Sequence, residues 1–392
     1  MSRRKTSRGE LIETEEALAD VVETLSSVDR FGSDTEFHRE RTYYPRLALV
    51  QIAWEDGLVL LDPLAVDVSS LAKAFSSGPL VILHAADQDL EVLQRACGRL
   101  PEQIFDTQLC AGFIGYCSPS LSNLVESLLG VRLQKGDQLT DWMRRPLSES
   151  QLAYAAGDVA YLLELHSMIE ERLEAARRSE WAAQECAVLL NKDHSETRPE
   201  HAWWKLPHAR QLRGPARGIA QEIAAWREKR AQRLDLPVRF VLSDMAVGSL
   251  AQRPPSNKEE LLRTRGVDSR HLGGNAAGEL LEAVRRGRQL SPQELQLPAS
   301  QAPERPNKPM IALASAYVGQ RAGELSIDPA ILATRADLVS FFQPEPAGRL
   351  VSGWRNDLLG RLLGQLAEGK AALAFDGSGG LVLEERSNRP LA

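Results

Sequence analysis

Apolar residues recur at helical spacing near the start of the chain. Ala17, Leu18, Val21, Val22 and Leu25 form one stripe and predict an amphipathic helix. Thr14 stands where a helix cap belongs, and Glu15 and Glu16 suit the positive end of a helix. The pattern then becomes strand-like. Residues 31–37 read as a short extended segment, and Leu47-Ala48-Leu49-Val50-Gln51-Ile52-Ala53-Trp54 as a strong strand. Glu55-Asp56-Gly57 makes a turn, and Leu58-Val59-Leu60-Leu61 returns as the second arm of a hairpin that Asp62-Pro63 ends. After a helix, Leu80-Val81-Ile82-Leu83-His84 is another strand. A helix from about Asp87 to Cys97 follows, ending near Gly98. From Ser120 to Ala176 the pattern is helical. Strands first, antiparallel at the start, then helices to cover them: this is the order of an α/β domain.

A polar stretch from Asn191 to Pro207, with Trp203-Trp204 read as interdomain packing, separates this region from helical patterns over Arg217–Leu234, Ser243–Ala251, Lys258–Thr264 and Ala276–Arg286. Pro254-Pro255-Ser256 is expected to turn the chain and cap the third of these. A Pro/Gln-rich stretch, Leu290 to Pro309, precedes a third unit that resembles the second in outline: helix, Asp/Pro turn, helix, Pro/Gly break, helix. The expected division is a flexible tail over 1–10, an α/β domain over 11–190, a linker over 191–206, a helical domain over 207–290, a linker over 291–309 and a second helical domain over 310–386. A chain of 392 residues is too long for one ordinary core, which agrees.

Charge sharpens this division. The net charge is -6, yet residues 210–288 carry 16 Lys/Arg against 9 Asp/Glu, so the rest is strongly acidic. A basic module beside a carboxylate-rich one suits a polyanion-binding arm next to a metal site, and equally a solvated helical surface. The four cysteines, Cys97, Cys110, Cys117 and Cys186, form no CxxC pair and read as buried thiols of a reducing compartment. The basic N-terminus has no apolar segment behind it, and no apolar run is long enough to span a bilayer. A cytoplasmic protein with no membrane contact is expected.

Against this background four acids stand out. Asp34 and Glu36 are two apart in an extended segment, so their side chains share a face, which is unfavourable unless something positive lies between them. Asp89 and Asp87 both lie near the start of a helix, where either suits the dipole, and periodicity does not choose between them. Tyr154 and Asp158 share a helical face, with Ala155, Ala156 and Gly157 between them leaving room for close approach. Asp158 interrupts an apolar helix and needs a partner, either a metal or an arginine. Hard oxygen donors without Cys/His clusters point to Mg²⁺ or Mn²⁺ rather than zinc.

Together and in order these residues resemble the DEDD family of 3′→5′ exonucleases. Asp34-Thr35-Glu36 matches its first motif. His84-Ala85-Ala86-Asp87-Gln88-Asp89-Leu90-Glu91-Val92 resembles the second, in which the ligand is the Asp before Leu-Glu, hence Asp89. Tyr154-x-x-x-Asp158 matches the third in its tyrosine form. Arg41-Thr42-Tyr43-Tyr44-Pro45, Leu49-Val50-Gln51, Phe105-Asp106-Thr107-Gln108 and Thr140-Asp141-Trp142 narrow the resemblance to the ribonuclease D family. Trp226-Arg227-Glu228-Lys229-Arg230-Ala231, Asp235-Leu236-Pro237 and Phe240-Val241-Leu242 resemble its HRDC domain. One departure is Gly32-Ser33 ahead of Asp34, where the family has an apolar residue; the strand is expected to be looser there.

The resemblance implies a ribonuclease H-like α/β exonuclease domain, its mixed sheet flanked by helices, followed by two all-α HRDC-like domains. It implies hydrolysis of RNA from a free 3′ end, with tRNA precursors as substrates, nucleoside 5′-monophosphates as products and two divalent ions as the only cofactor. Asp34 would bridge the two ions, with Glu36 and Asp158 completing one site and Asp89 acting mainly on the other. One ion would activate water and the other relieve the leaving oxygen, while Tyr154 orients the water. Arg39, Arg41, Tyr43 and Tyr44 are candidates to meet phosphates or bases, or else pack back on the sheet. Lys135 is another phosphate candidate, and His84 is read as a structural hydrogen-bonder. Arg227, Lys229, Arg230 and Arg233 cluster on one helix as a salt-dependent grip on a backbone. A monomer is expected. The competing readings are a DNA exonuclease of the RecQ-helicase-associated type and a binding scaffold with a decayed site; the intact acids and Tyr154 argue against decay.

Overall fold

The computed structural model describes residues 9–133, 136, 140–193, 197–207, 209–268, 272–297 and 308–387. Lys135, most of the N-terminal tail and the middle of the second expected linker lie outside these. The described residues group into two compact units, one drawn from 1–36, 48–193 and 303–392, the other from 37–47 and 194–302.

The first unit is built on a six-stranded mixed sheet in the order β1-β4-β3-β2-β5-β6. Its strands are β1 (Glu10–Ile12), β2 (Arg30–His38), β3 (Arg46–Trp54), β4 (Gly57–Leu61), β5 (Leu80–Leu83) and β6 (Gln103–Asp106). The expected hairpin is present: β3 and β4 pair antiparallel from Val50↔Leu61 to Trp54↔Gly57. β1 joins β4 in parallel, and β5 pairs in parallel with both β2 and β6. The paired register of β2 with β5 runs from Arg30↔Leu80 to Gly32↔Ile82, so Asp34 and Glu36 lie just past it.

The helices are α1 (Glu15–Leu25), α2 (Leu71–Ser76), α3 (Asp87–Cys97), α4 (Thr107–Gly112), α5 (Leu121–Leu129), α6 (Glu149–Val159), α7 (Leu162–Ala176) and α8 (Ser179–Leu190). Thr14 caps α1 by accepting from the Ala17 N–H, and Leu18, Val21, Val22 and Leu25 are buried. Gly98, in the left-handed region, ends α3. The helical reading of 120–176 was too continuous. Gly130, also left-handed, stops α5, and among the described residues none between 130 and 148 is helical. Ser148 and Gln151 form a reciprocal capping box that starts α6.

Gly32-Ser33 does not loosen the sheet. β2 runs nine residues and Ser33 is buried. A Cβ on Gly32 would lie 2.9 Å from Leu162 Cβ, so the missing side chain is what seats the strand against α7.

In the same unit, α14 (Lys308–Leu325), α15 (Pro329–Leu332), α16 (Arg335–Phe341), α17 (Gly353–Arg355) and α18 (Arg361–Ala367) make up the C-terminal region; a π turn at Asn356–Gly360 joins the last two. This region was expected to be all helical. It closes instead with an antiparallel hairpin of β7 (Ala371–Phe375) and β8 (Leu381–Glu385). The sequence alternation there is weak, because β8 is largely exposed.

The second unit contains α9 (Pro215–Leu234), α10 (Val238–Val241), α11 (Asp244–Gln252), α12 (Lys258–Arg263) and α13 (Ala276–Gln289). Its core includes Trp203, Ile219, Ile223, Leu242, Leu250 and Leu280. α9 and α13 meet through Gly218 and Gly287, where a Cβ would lie about 2.5 Å from the opposing backbone. Asn257, not Ser256, caps α12, accepting from the Glu260 N–H at 2.9 Å. Trp203 is fully buried and donates to Gln296 O. Among the described residues no helix is long and apolar enough to cross a membrane. Cys97, Cys110 and Cys186 are buried free thiols, while Cys117 is exposed, against expectation.

Candidate metal centre

Asp34, Glu36 and Asp158 each offer a carboxylate oxygen, and these atoms lie within 4.8 Å of one another. β2 supplies the first two on one face; α6 supplies the third. Asp89, 7% exposed, stands at the third position of α3 beside this trio. Its Oδ1 accepts from the Thr35 N–H at 3.2 Å and from the Thr35 hydroxyl at 2.5 Å. The middle residue of Asp34-Thr35-Glu36 thus anchors the fourth acid, a role that was missed because a threonine on the opposite strand face carries no signal of its own. Asp87, the rival candidate, is half exposed and pairs with Lys192 at 2.5 Å, which removes it from the cluster.

The electrostatics of the cluster are unfavourable without a cation. Burial, then repulsion from Asp89, Asp158 and Glu36, pushes the Asp34 carboxyl well above the ordinary carboxylate range. Burial followed by Asp158 and Asp89 raises Glu36 to about 8. Burial raises Asp158 to about 7 against a hydrogen bond from Tyr154, and Asp89 to about 6 against the Thr35 bonds. Among the described residues no Lys or Arg forms an ion pair with any of the four, and the hydrogen-bond partner of Asp158 there is Tyr154 rather than an arginine. Four carboxylates, all raised by burial and two of them, Asp34 and Glu36, also by the charges of the others, with no ion-paired Lys or Arg among the described residues, fit a hard divalent cation.

Tyr154 lies one turn before Asp158 on α6 and hydrogen-bonds it. Burial and then the charges of Asp158, Glu36 and Asp34 push the phenol well up, so it keeps its proton. Trp142 packs against its ring, with centroids 6.1 Å apart, in a cluster with Ala48, Leu49, Leu60, Leu147 and Ala155. Arg145 holds that loop, donating to Trp142 O and Ala48 O and pairing with buried Asp62. A Cβ on Gly157 would meet nothing within 4 Å, so the space beside Asp158 is open. His84 is tied to Thr107 at 2.9 Å, the structural role expected of it.

Several of the proposed nucleic-acid contacts have other occupations. In the second unit the Tyr43 hydroxyl donates to Glu228 at 2.6 Å and accepts from Gln232, and its ring packs on the core. It is a packing residue, not a base platform. The Tyr43 and Tyr44 N–H groups both donate to Asp235, and Tyr44 stands edge-on to Tyr43. Arg227 is 3% exposed and donates to Leu242 O and Asp244, so it cannot face a phosphate. Arg230 is engaged by Glu279 at 3.3 Å and lies over Trp226. Arg39, Arg41 and Lys229 are exposed. The charge cluster misled because helical spacing does not say which turns are covered by α11 and α13.

Comparison with known proteins agrees with this geometry. Residues 10–174 match the family described as 3'-5' exonuclease, and residues 216–284 match the HRDC domain. A ribonuclease D of Gluconacetobacter diazotrophicus is 36% identical over 375 residues, covering 94% of this chain and 95% of its own. One from Acidiphilium cryptum is 35% identical over 378 residues, covering 94% and 95%. Among solved structures, Escherichia coli RNase D, an exoribonuclease involved in structured RNA processing, superposes with a TM-score of 0.82 at 32% identity, over 92% of this chain and 98% of that one.

Proposed function

The chain belongs to the ribonuclease D family, and from that premise we propose that it trims the 3′ ends of structured RNAs such as tRNA precursors, releasing nucleoside 5′-monophosphates. The activity is that of a metal-dependent 3′→5′ exoribonuclease. The observation that carries the finer reading is the half-buried trio of Asp34, Glu36 and Asp158, with buried Asp89 beside it and no Lys or Arg among the described residues paired to any of them.

Asp34, Glu36 and Asp158 would hold one divalent cation, and Asp34 with Asp89 a second; Mg²⁺ and Mn²⁺ suit such all-oxygen sites. Bound there, the ions supply a nucleophile near neutral pH and relief of charge on the leaving 3′ oxygen. The protein's own part is positioning. β2 and α6 bring the acids together, Thr35 fixes Asp89, and Tyr154 orients the attacking water by a hydrogen bond without ionising. The open side of Gly157 leaves space for the terminal nucleotide. Residues 11–190 carry the chemistry, and Arg39, Arg41 and Lys229 are the remaining candidates for backbone contacts. The protein works as a monomer in the cytoplasm.

Incubation of 5′-labelled single-stranded RNA, DNA and a 3′-extended tRNA with Mg²⁺, Mn²⁺ or EDTA tests this. The expected result is a descending ladder from RNA, abolished by EDTA, and shortening of the extended tRNA to its mature end. A ladder from DNA alone, or persistence in EDTA, would overturn it.

A further inference from the structure

Asp106 and Thr107, which the catalytic reading leaves without a role, hold the whole turn from which Asp89 is presented. Asp106 ends β6 and caps α4, its Oδ1 accepting from the Gln108 and Leu109 N–H groups at 2.9 and 3.1 Å. An aspartate ahead of a helix does this routinely. This one is 3% exposed and also reaches across to the turn between β5 and α3. There Oδ1 accepts from the Ala85 N–H at 3.1 Å and Oδ2 from the Ala86 N–H at 2.9 Å. Thr107, fully buried, donates its hydroxyl to Leu83 O at 2.9 Å and lies 2.9 Å from His84 Nδ1. Every residue of Leu83-His84-Ala85-Ala86 is therefore bound to this pair.

The turn needs holding. Ala85 sits at φ 58, a conformation disfavoured for a residue with a side chain. Ala86 is the cap residue of α3 and has no side chain able to cap. Asp89 is third in that helix, the position from which an acid normally folds back onto the N–H of the cap residue. Here that N–H is taken by Asp106, and the Asp89 carboxylate is turned to Thr35 instead.

We propose that Asp106 and Thr107 are positioning residues for the metal centre: by occupying the Ala86 N–H and fixing the turn, they keep Asp89 from capping its own helix and hold it at the cluster. The inference rests on Asp89 being a metal ligand.

The test is Mn²⁺ binding to the full chain, by calorimetry and by the electron paramagnetic resonance of free Mn²⁺, with thermal unfolding alongside. Thr107→Val keeps the packing and removes both hydroxyl bonds. Asp106→Asn keeps Oδ1, which accepts three of the four bonds, and loses acceptance from Ala86; Asp106→Ala loses all four. Each should weaken Mn²⁺ binding by about 10–100-fold, the usual cost of a lost partner behind a ligand, in the order Ala worse than Asn. At saturating Mn²⁺ most of kcat returns and the KM for RNA is unchanged. Wild-type Mn²⁺ affinity in Thr107→Val and Asp106→Asn, or losses matched by the fraction unfolded, would overturn the proposal. Should Asp106→Ala not fold, the nearly isosteric Thr107→Val decides. Asp89→Asn is the control: if it binds Mn²⁺ like wild type, the ligand assignment fails, not the positioning argument.

Discussion

Single side chains set the chemistry, and the four acids differ from Tyr154 in what their loss removes. Asp34→Asn takes a ligand that both cation sites would share, and losing metal-derived stabilisation of several kcal/mol corresponds to roughly 10³-fold or more in kcat. Tyr154→Phe removes only the group that orients water and should cost on the order of 10–100-fold. Single-turnover rates on a short RNA compare the two, and near-normal turnover by Asp34→Asn contradicts the assignment. The raised carboxyls also make stability depend on pH. An acid whose folded pKa exceeds its unfolded value of about 4 costs stability once the unfolded chain ionises, and the cost grows until the folded pKa is passed. With Asp89 near 6, Asp158 near 7 and Glu36 near 8, the metal-free protein loses stability as pH rises from about 4 to about 8. A cation favours the ionised forms, so Mn²⁺ should raise Tm more at about pH 8 than at about pH 5 by calorimetry; equal shifts would count against the cluster as a cation site. At this scale the gathering of Asp34, Glu36 and Asp158 was readable from spacing and resemblance. Asp87 versus Asp89 was not readable from periodicity, since both suit a helix start; the motif resemblance favoured Asp89, and the Lys192 and Thr35 partners separate the two in the structure.

At the scale of elements, the acids meet because β2 continues past its pairing with β5 while α6 and α7 cover it. Strands β2 to β5 and most helices were legible because their burial follows the periods of two and 3.6, and because Thr14 and Gly98 carry cap chemistry in the sequence, whereas the short strands β1 and β6 were not read. The non-helical stretch around Arg145 was not legible either, since Arg145 is held by Asp62 and Ala48, far away in sequence. Gly32 is a case where sequence pointed the wrong way: a small residue in a strand reads as a weakness until Leu162 is seen against it. Gly32→Ala should therefore destabilise by about 1–3 kcal/mol as an overpacked contact, measured by urea denaturation. It should also lower turnover, because any shift of β2 moves Asp34 and Glu36. A variant as stable and active as wild type would show that β2 does not depend on this close approach.

At the scale of the whole molecule, the region after residue 308 was expected to stand apart as a second HRDC-like domain, touching RNA or bracing its neighbours. Its contacts are with the sheet-bearing part of the same compact unit. Asp328 N–H donates to Gly112 O at 2.8 Å, and Arg178 donates to Leu325 O and Phe113 O. Trp354 stacks on Trp181 at 5.0 Å and Arg355 lies over Trp354 at 4.2 Å. Arg355, 5% exposed, makes two bonds to Glu185 and one to Ile331 O. Such a pair is costly to break from one side, because the surviving charge stays in a poorly solvated place: about 3–5 kcal/mol. Arg355→Ala should lower Tm accordingly and make 308–387 more sensitive to limited proteolysis. Arg263→Ala, which loses an exposed pair with Glu259, should change stability by no more than about 0.5 kcal/mol. The double variant Arg355→Met with Glu185→Leu should recover much of the loss, since no charge is left behind. If the region is a brace, the KM for a short single-stranded RNA is unchanged in Arg355→Ala at a temperature where it is folded. A rise in KM without loss of stability would instead make this surface part of the path taken by RNA.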